Sequence, residues 1–322
     1  MRIVPTLAYH VVDVFTDRPY AGNPLAVVLD ADDLSTEALQ ALAREFHLSE
    51  TAFPMRSSVA DYRLRIFTPV EELPFAGHPS VGAAWLLARL GKIRAGQVRQ
   101  ECGARVLPVQ VTSSGATLTG GAPSTGPTLD PAALLPLFGL DATALVDAGL
   151  APDGNANGPG PSDAANGAGP TPVAAGRGTS TSQPRVAGAG LPFGYLRVHP
   201  TAVAAANPDL AAIERLTRPI GVVGLSVFSW DPAHRQAHAR VFVPGVGEDP
   251  ATGAAAVGLG VYLAAADLVP DDQTTDYTIR QGGEIRRPSL LTCTVTRAGG
   301  TVTRTTVGGA VSHVAIGEVV RP

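Results

Sequence analysis

Short runs in which apolar and polar residues alternate recur along most of the chain, a pattern typical of β-strands with one buried face. Residues 9–29 predict a β-hairpin, because the alternating run HVVDVF is followed by the turn-rich TDRPYAGNP and the apolar LAVVL. Further strands are predicted at residues 62–68, 97–111, 116–119, 191–198, 220–230, 237–243, 277–279, 290–297, 302–307 and 311–320. The chain is therefore rich in short strands.

Helical periodicity is confined to a few segments. After Ser35, a residue type that caps helix starts, the apolar residues Leu39, Leu42, Ala43 and Phe46 fall on one stripe of a helix. Shorter helices are predicted at residues 130–138 and 209–216.

Two distant stretches share one strand–loop–helix pattern. ELPFAGHPSVGAAWLLARLG (residues 72–91) and GEDPATGAAAVGLGVYLA (residues 247–264) each contain a proline followed three residues later by Gly-Ala-Ala. The residue before the proline is His78 in the first stretch and Asp249 in the second. Each stretch follows a strand that ends at a proline, in RIFTP and RVFVP respectively. The repeat predicts two similar halves.

The chemistry of the repeated unit indicates an anion site. Proline is tolerated in the first turn of a helix, and a glycine nearby lets another backbone or a ligand approach. The free amide groups and partial positive charge of such a helix start attract a carboxylate or a phosphate. If the halves face each other, two helix starts can hold one small anion. The alternative is that Gly-Ala-Ala only allows each helix to pack tightly within its own half.

The predicted fold class is α+β, with two pseudo-symmetric lobes, each a curled, mostly antiparallel sheet wrapped around a central helix. We assign residues 1–122 to the first lobe, to which the last strand (308–322) returns, and residues 123–307 to the second. Residues 120–127 are interpreted as a connector rich in Gly, Pro and Ser. Residues 151–184 are almost entirely Gly, Pro, Ala, Asn, Ser and Thr and predict a disordered insertion in the second lobe, because they bury too little apolar surface to offset the entropy of ordering.

Composition narrows the class of partner. The 322 residues are 45% hydrophobic with a formal net charge of −4, which suits a globular two-domain protein. No basic block is present, so we expect neither nucleic acid nor membrane as a partner. Small molecules are the expected ligands. The first nine residues contain no sustained apolar run, so the expected location is the cytoplasm.

Three ionisable residues are candidates for chemistry. An extended run begins near residue 48, so Glu50 lies at a helix-to-strand junction, while His78 and Asp249 precede the two helix starts. A carboxylate and an imidazole suffice for proton transfer. Structural alternatives remain, because Glu50 can hydrogen-bond a helix end, His78 can cap, and Asp249 can be the N-cap of its own helix.

Other chemistries find little support in the sequence. His234 and His238 form the one close histidine pair, with no carboxylate or cysteine cluster nearby, so no metal site is predicted. There is neither a phosphate-binding glycine loop nor a G-x-S-x-G elbow, and no cofactor is expected. Cys102 and Cys293 lie in strand-like contexts and are expected to be reduced and structural.

Four segments, HVVDVFTDRPYAGNPLAVVLD, LSETAF, RIFTPVEELPFAGHPSVGAA and GEDPATGAAA, resemble the PhzF-like family of phenazine-biosynthesis isomerases, in the family's order and over nearly the whole chain. The resemblance implies a diaminopimelate epimerase-like fold with the active site between two lobes, and a cofactor-independent isomerase. It also implies that Glu50, in the S-E-T motif, is the catalytic acid/base and that His78 and Asp249 bind the substrate.

We expect the rest of the binding site to come from the helix starts and the first hairpin, through Gly77, Ser80, Gly253, Ala254 and Asn23. Ala254 occupies the position of a serine in the family's D-x-A-T-G-S motif, which bears on the identity of the substrate. In the related cysteine-dependent epimerases the two catalytic thiols correspond to about Ala76 and Asp249, so racemisation through thiols is not available here.

The leading hypothesis is a homodimeric isomerase of specialised, antibiotic-type metabolism that moves a proton, and with it a double bond, within a small carboxylate-bearing substrate. One alternative is a catalytically silent protein that binds small carboxylates. Another is an epimerase that uses Glu50 and Asp249 as opposed bases.

Overall fold

The structure, a computed structural model, describes residues 5–103, 105–146 and 183–322. The strands in these ranges are β1 (Thr6–Val14), β2 (Asn23–Val28), β3 (Glu50–Met55), β4 (Tyr62–Phe67), β5 (Glu72–Leu73), β6 (Gly96–Cys102), β7 (Arg105–Val111), β8 (Gly115–Thr119), β9 (Pro123–Thr128), β10 (Arg185–Ala189), β11 (Pro192–Arg197), β12 (Leu225–Asp231), β13 (Gln236–Val243), β14 (Gly247–Asp249), β15 (Thr274–Gln281), β16 (Ser289–Ala298) and β17 (Thr301–Val320). The α-helices are α1 (Thr36–Phe46), α2 (Gly77–Arg89), α3 (Pro131–Leu134), α4 (Pro200–Ala205), α5 (Leu210–Thr217) and α6 (Gly253–Ala265).

The first half of the chain forms a closed ring of strands around α2. The order of pairing is β1-β2-β3-β4-β6-β7-β8-β17, and β17 pairs with β1 to close the ring. Most pairs are antiparallel, while β2–β3 and β4–β6 are parallel. Every residue of α2 from Gly77 to Leu87 is buried, because the ring surrounds the helix.

The second half repeats this order around α6. Strands β10 to β13, β15, β16 and β17 pair in sequence, again with two parallel pairs, β11–β12 and β13–β15. Helix α6 is buried from Gly253 to Ala264 and apolar on all sides, as expected for a helix enclosed by a sheet. The predicted α+β architecture of two similar units, each a sheet around a helix, is confirmed.

The chain passes from one half to the other within two strand regions. β8 pairs with β7, and β9, directly after it, pairs with β10 of the other half. In the same way β17 pairs with β16 through its first part and with β1 through residues 311–320. Both crossings carry the sequence Gly-Gly-Ala, at residues 120–122 and 308–310. We propose the division into lobes given above, and these pairings support it.

The crossing of β17 corrects one prediction. Residues 302–307 and 311–320 were expected to be separate strands, but they form one strand that runs through Gly308 and Gly309. The glycines are required inside the strand because a side chain at Gly308 would overlap the Thr117 hydroxyl, and one at Gly309 would press on Phe15.

Other predictions also need correction. The connector predicted at 120–127 contains most of β9, an edge strand whose exposed Ser, Thr, Gly and Pro residues do not alternate with apolar ones. β10 and α4 were not predicted, because both are short. The predicted insertion 151–184 lies outside the described residues except for its last two. Of these, Pro184 accepts a hydrogen bond from Leu129 N at 2.8 Å and is therefore ordered.

Candidate active site

The two central helices meet at their N-termini. A Cβ atom on Gly77 would lie 3.0 Å from the Cα of Gly253, and one on Gly253 would lie 3.2 Å from the Cα of Gly77. Neither helix has a side chain that caps its first-turn amides; the N-cap residues are Ala76 and Thr252. The free amide groups of both helix starts are therefore gathered at one place between the halves. This juxtaposition depends on glycine, because any side chain would separate the helices.

Glu50 reaches this place from the first half. Helix α1 ends at Phe46, and its C-cap His47, in the left-handed conformation (φ 50°), turns the chain into β3, of which Glu50 is the first residue. Its Oε2 lies 3.4 Å from Nε2 of His78, and its side chain is 16% exposed. Both atoms are buried, but the geometry does not make a hydrogen bond between them, and neither has a hydrogen-bond partner among the described residues. The carboxyl and the imidazole therefore face each other with unused polar atoms.

The site favours the neutral forms of these two groups. Burial, together with the negative charge of Asp249, raises the pKa of Glu50 to about 8. Burial lowers the pKa of His78 to about 3. The 3.4 Å contact is thus between a carboxylic acid and a neutral imidazole rather than an ion pair. A carboxyl group with a pKa near working pH can both take up and release a proton.

Asp249 faces Glu50 from the second half. Its Oδ1 accepts a hydrogen bond from Nδ2 of Asn23 at 2.8 Å, and its Oδ2 accepts one from the Thr252 hydroxyl at 2.6 Å. Burial raises the pKa of Asp249 to about 6, an increase limited by these two hydrogen bonds. The N-cap of α6, which begins at Gly253, is Thr252, so Asp249 is not the N-cap of its own helix.

Asn23, the first residue of β2, connects the halves. Besides Asp249, its Nδ2 donates to the carbonyl of Ala251 at 3.0 Å, and its Oδ1 accepts from the Ser49 hydroxyl at 3.3 Å. The side chain is completely buried. A single amide thus links the residue before Glu50 to the loop that carries Asp249.

Ser80 and Ala254, two of the expected binding residues, face the meeting point of the helices with their backbones rather than with their side chains. The Ser80 hydroxyl points into the first half, where it donates to the Ala76 carbonyl at 2.8 Å and accepts from Gln100 at 2.9 Å. Only its backbone amide, in the first turn of α2, belongs to the helix start. Ala254 is buried, and its nitrogen would lie 3.3 Å from a Cβ on Gly77, so it is the backbone of Ala254 that lies where the two helix starts meet.

Residues that the sequence analysis did not single out complete the second half of the site. Gln281 accepts from Thr252 N at 3.3 Å and donates to the Asp249 carbonyl at 2.7 Å and to the Thr252 hydroxyl at 3.1 Å. These bonds hold the segment from Asp249 to Thr252. Thr252 lies inside the quoted GEDPATG motif, whereas nothing in the sequence distinguishes Gln281 from other strand residues.

Comparison with a family model decides the assignment. The model described as "Phenazine biosynthesis-like protein" (PhzC-PhzF) matches residues 12–133 and 190–317. The chain belongs to this family. The resemblance seen in the sequence is thereby confirmed.

Curated relatives of this PhzF-family chain carry isomerase names. An uncharacterized isomerase of Mesorhizobium japonicum is 33% identical over 98% of the chain and 99% of its own length. The trans-2,3-dihydro-3-hydroxyanthranilate isomerase of Pseudomonas aeruginosa is 32% identical over 94% of the chain and 95% of its own length. We classify the chain as a PhzF-family isomerase.

Solved structures show the same fold. A PhzF-family protein of Bacillus anthracis superposes with a TM-score of 0.81 at 24% identity, covering 98% of this chain and 99% of that one. A hydroxyproline epimerase of Agrobacterium vitis superposes with a TM-score of 0.62 at 14% identity, covering 99% and 94%. The predicted diaminopimelate epimerase-like class, shared with racemases and epimerases, is thus confirmed at the level of the fold.

Cysteines and the histidine pair lie outside this PhzF-family site. Cys102 and Cys293 are both buried free thiols, as expected. His234 forms a hydrogen bond with the carboxylate of Asp231 at 2.7 Å, and His238 forms one with the carboxylate of Glu284 at 2.8 Å. Each histidine is therefore paired with one carboxylate, supplied by the end of β12 or by the loop after β15. Within the described ranges there is no cluster of three or more His, Cys, Asp or Glu side chains arranged to hold a metal ion.

None of the helices in those ranges is long and apolar enough to span a bilayer.

The pKa of Glu50 predicts how stability depends on pH. Folded Glu50 keeps its proton up to about pH 8, whereas in the unfolded chain it loses the proton near the ordinary value of 4.5. Unfolding between these values releases the Glu50 proton, so the contribution of Glu50 to the free energy of unfolding falls as pH rises, by at most about 1.4 kcal/mol per pH unit. Below about pH 6.5, the ordinary pKa of histidine, His78 contributes with the opposite sign, because burial lowers its pKa in the folded protein and it takes up a proton on unfolding. Urea denaturation at pH 5, 6 and 7 measures this slope. Glu50→Gln lacks the Glu50 contribution, so its free energy of unfolding relative to that of the wild type is expected to rise with pH, and a difference that does not change with pH would contradict the assignment.

Proposed function

We propose that this PhzF-family isomerase moves a proton, and with it a double bond, within a small carboxylate-bearing substrate, with Glu50 as the single acid/base. In the carboxylate form Glu50 takes a proton from one carbon of the substrate. As a carboxylic acid it returns that proton to another carbon while the double bond shifts between them. No redox partner is needed, because the atoms and electrons of substrate and product balance.

The proposal rests on the environment of the Glu50 carboxyl group. Its Oε2 is buried without a hydrogen-bond partner among the described residues, and its pKa is raised to about 8. A carboxyl group needed only for structure would be expected to use such an oxygen in a hydrogen bond. The unused atom lies beside His78, at the meeting point of the two helix starts, where the substrate carboxylate would be held by backbone amides.

Asp249 is less suited to be the acid/base. Both of its oxygens accept short hydrogen bonds, from Asn23 and from Thr252, so neither is free to reach a substrate carbon without losing a partner. We assign to Asp249 the binding of a substrate amine or hydroxyl. The two-base epimerase remains the second candidate because the pKa of Asp249 is also raised, to about 6.

The proposed substrate class is a cyclic or conjugated amino or hydroxy carboxylate like the one named for the Pseudomonas aeruginosa relative, trans-2,3-dihydro-3-hydroxyanthranilate. We further propose that the chain acts as a homodimer in the cytoplasm, in a pathway of specialised metabolism. These last proposals rest on the sequence and on the family resemblance.

Turnover of trans-2,3-dihydro-3-hydroxyanthranilate in D₂O tests the single-base shuttle. One carboxyl group working on one face, shielded between the lobes, is expected to deliver less than full deuterium to the new C–H position and in one stereochemical sense. Mass spectrometry and ¹H NMR of the product measure both quantities.

The other outcomes identify the alternatives. Deuterium on the opposite face would require a second base and would favour the pair of Glu50 and Asp249. Tight binding without turnover would favour the silent carboxylate-binding protein. If this compound neither binds nor turns over, the proposed substrate class is wrong.

A further inference from the structure

The loop between β1 and β2, residues 15–22, belongs to the first half but is held by the second. Gly22 N donates to the carbonyl of Pro288 at 3.1 Å, and Leu290 N donates to the carbonyl of Phe15 at 2.9 Å. Both partners lie at the start of β16 or just before it. Residues of the second half therefore fix the conformation of this loop of the first half.

Arg287 makes the most concentrated of these contacts. Its Nε donates to the carbonyl of Gly22 at 2.9 Å, and its Nη2 donates to the carbonyl of Ala21 at 2.7 Å. Nη2 also donates to Oδ1 of Asp13 at 2.5 Å. The side chain of Asp13 is almost fully buried, and its Oδ2 accepts from Tyr20 N at 2.6 Å. One guanidinium and one carboxylate thus fix the end of the loop from two sides.

The group held by Arg287 is bonded directly to Asn23. The Gly22 carbonyl belongs to the peptide group whose nitrogen is that of Asn23, so a shift of this peptide moves the backbone of Asn23 and its side chain with it. Gly22 itself has little freedom, since it has a φ of 65° and a side chain there would overlap the carbonyl of Val14. Two residues link Arg287 to Asp249 by this route.

We propose that Arg287 is a positioning residue for the reaction, which holds the peptide before Asn23 so that the Asn23 amide reaches Asp249 across the cleft. It touches neither Asp249 nor any of the groups expected to contact substrate, and its charge is balanced by Asp13. The proposal rests on the proposed function only in taking Asp249 to be part of the working site.

The pKa of Asp249 shows whether Arg287 influences Asp249 through Asn23. The groups that face Asp249 are Glu50, whose own pKa is raised by burial and by the charge of Asp249, and the hydrogen-bond donors Asn23 and Thr252. His78 is neutral beside Glu50. A donor to a carboxylate favours its charged form, so loss of the Asn23 bond raises the pKa of Asp249.

The test is a pH titration of the Asp249 carboxyl carbon by ¹³C NMR in the full chain, assigned with Asp249→Asn. We expect Arg287→Met and Asn23→Ala each to raise the titration midpoint by about one pH unit. The double variant is expected to match Asn23→Ala alone, because Arg287 acts through Asn23. Arg287→Lys, which keeps the charge but has no planar fork for two carbonyls, is expected to fall between wild type and Arg287→Met.

Arg297→Met is the matched control. Like Arg287, Arg297 is bound to a carboxylate, that of Asp267, and to a carbonyl, that of Val269, but it is buried and all three residues lie in the second half. It should leave the Asp249 midpoint unchanged. An unchanged midpoint in folded Arg287→Met, or additive shifts in the double variant, would overturn the proposal; if Arg287→Met does not fold, Arg287→Lys decides by the same criterion. The titration needs no substrate, so failure of the proposed function leaves it intact.

Discussion

Glu50→Gln is expected to lower the rate of isomerisation by about 10²–10⁴-fold, the range that a positioned general acid/base contributes. Glutamine has nearly the same shape, so it should occupy the same pocket beside His78, but it can neither take a proton from carbon nor return one. The loss should fall mainly on kcat, because the helix-start amides that hold the substrate carboxylate are unchanged.

Steady-state assays with trans-2,3-dihydro-3-hydroxyanthranilate measure this effect. Glu45→Gln is the matched control, since Glu45 is an exposed residue of α1 five positions earlier and makes the same chemical change away from the cleft. Its activity should equal that of the wild type. Full turnover by Glu50→Gln would show that another group carries the proton, and Asp249→Asn would then be the next variant to assay.

Gly258→Ala is expected to reduce the free energy of unfolding by about 3 kcal/mol or more, through overpacking and the loss of a buried hydrogen bond. A Cβ on Gly258 would overlap the hydroxyl of Tyr195, which is fully buried and donates to the carbonyl of Ala255 at 2.7 Å. Neither partner can move easily, because α6 is enclosed by its sheet and Tyr195 packs against Tyr262.

Chemical denaturation measures the loss, and a second substitution tests its cause. Tyr195→Phe removes the overlapping oxygen, so the double variant with Gly258→Ala should lose less stability than the sum of the two single variants. Gly283→Ala is the control, since nothing lies within 4 Å of its Cβ position and it should change stability by less than about 0.5 kcal/mol. Additive losses in the double variant would mean that the Tyr195 hydroxyl is not the obstacle.

Local signals in the sequence were sufficient for several elements. Ser35 caps α1 through a hydrogen bond from Ala38 N at 3.3 Å, as predicted. The helix predicted at residues 209–216 is α5, and Asp209 caps it through a hydrogen bond from Ala212 N at 2.9 Å. The repeated strand–loop–helix unit predicted two similar halves, because the same local sequence folds into the same local structure in each. In contrast, β9 was missed, since an exposed edge strand is held by backbone pairing with β10 and needs no apolar alternation.

By itself, the sequence determined the fold class, the duplicated architecture and the family. It also determined the candidates Glu50, His78 and Asp249. Each of these conclusions depends on short segments that have a recognisable pattern. Only the tertiary structure decided how the halves meet. Asn23 bonds to Asp249 over a separation of 226 residues, and Arg287 bonds to Asp13 over 274. Such contacts depend on the register of strands paired between the halves, and hydrophobic periodicity reports which face of a strand is buried but not which distant residue it will face.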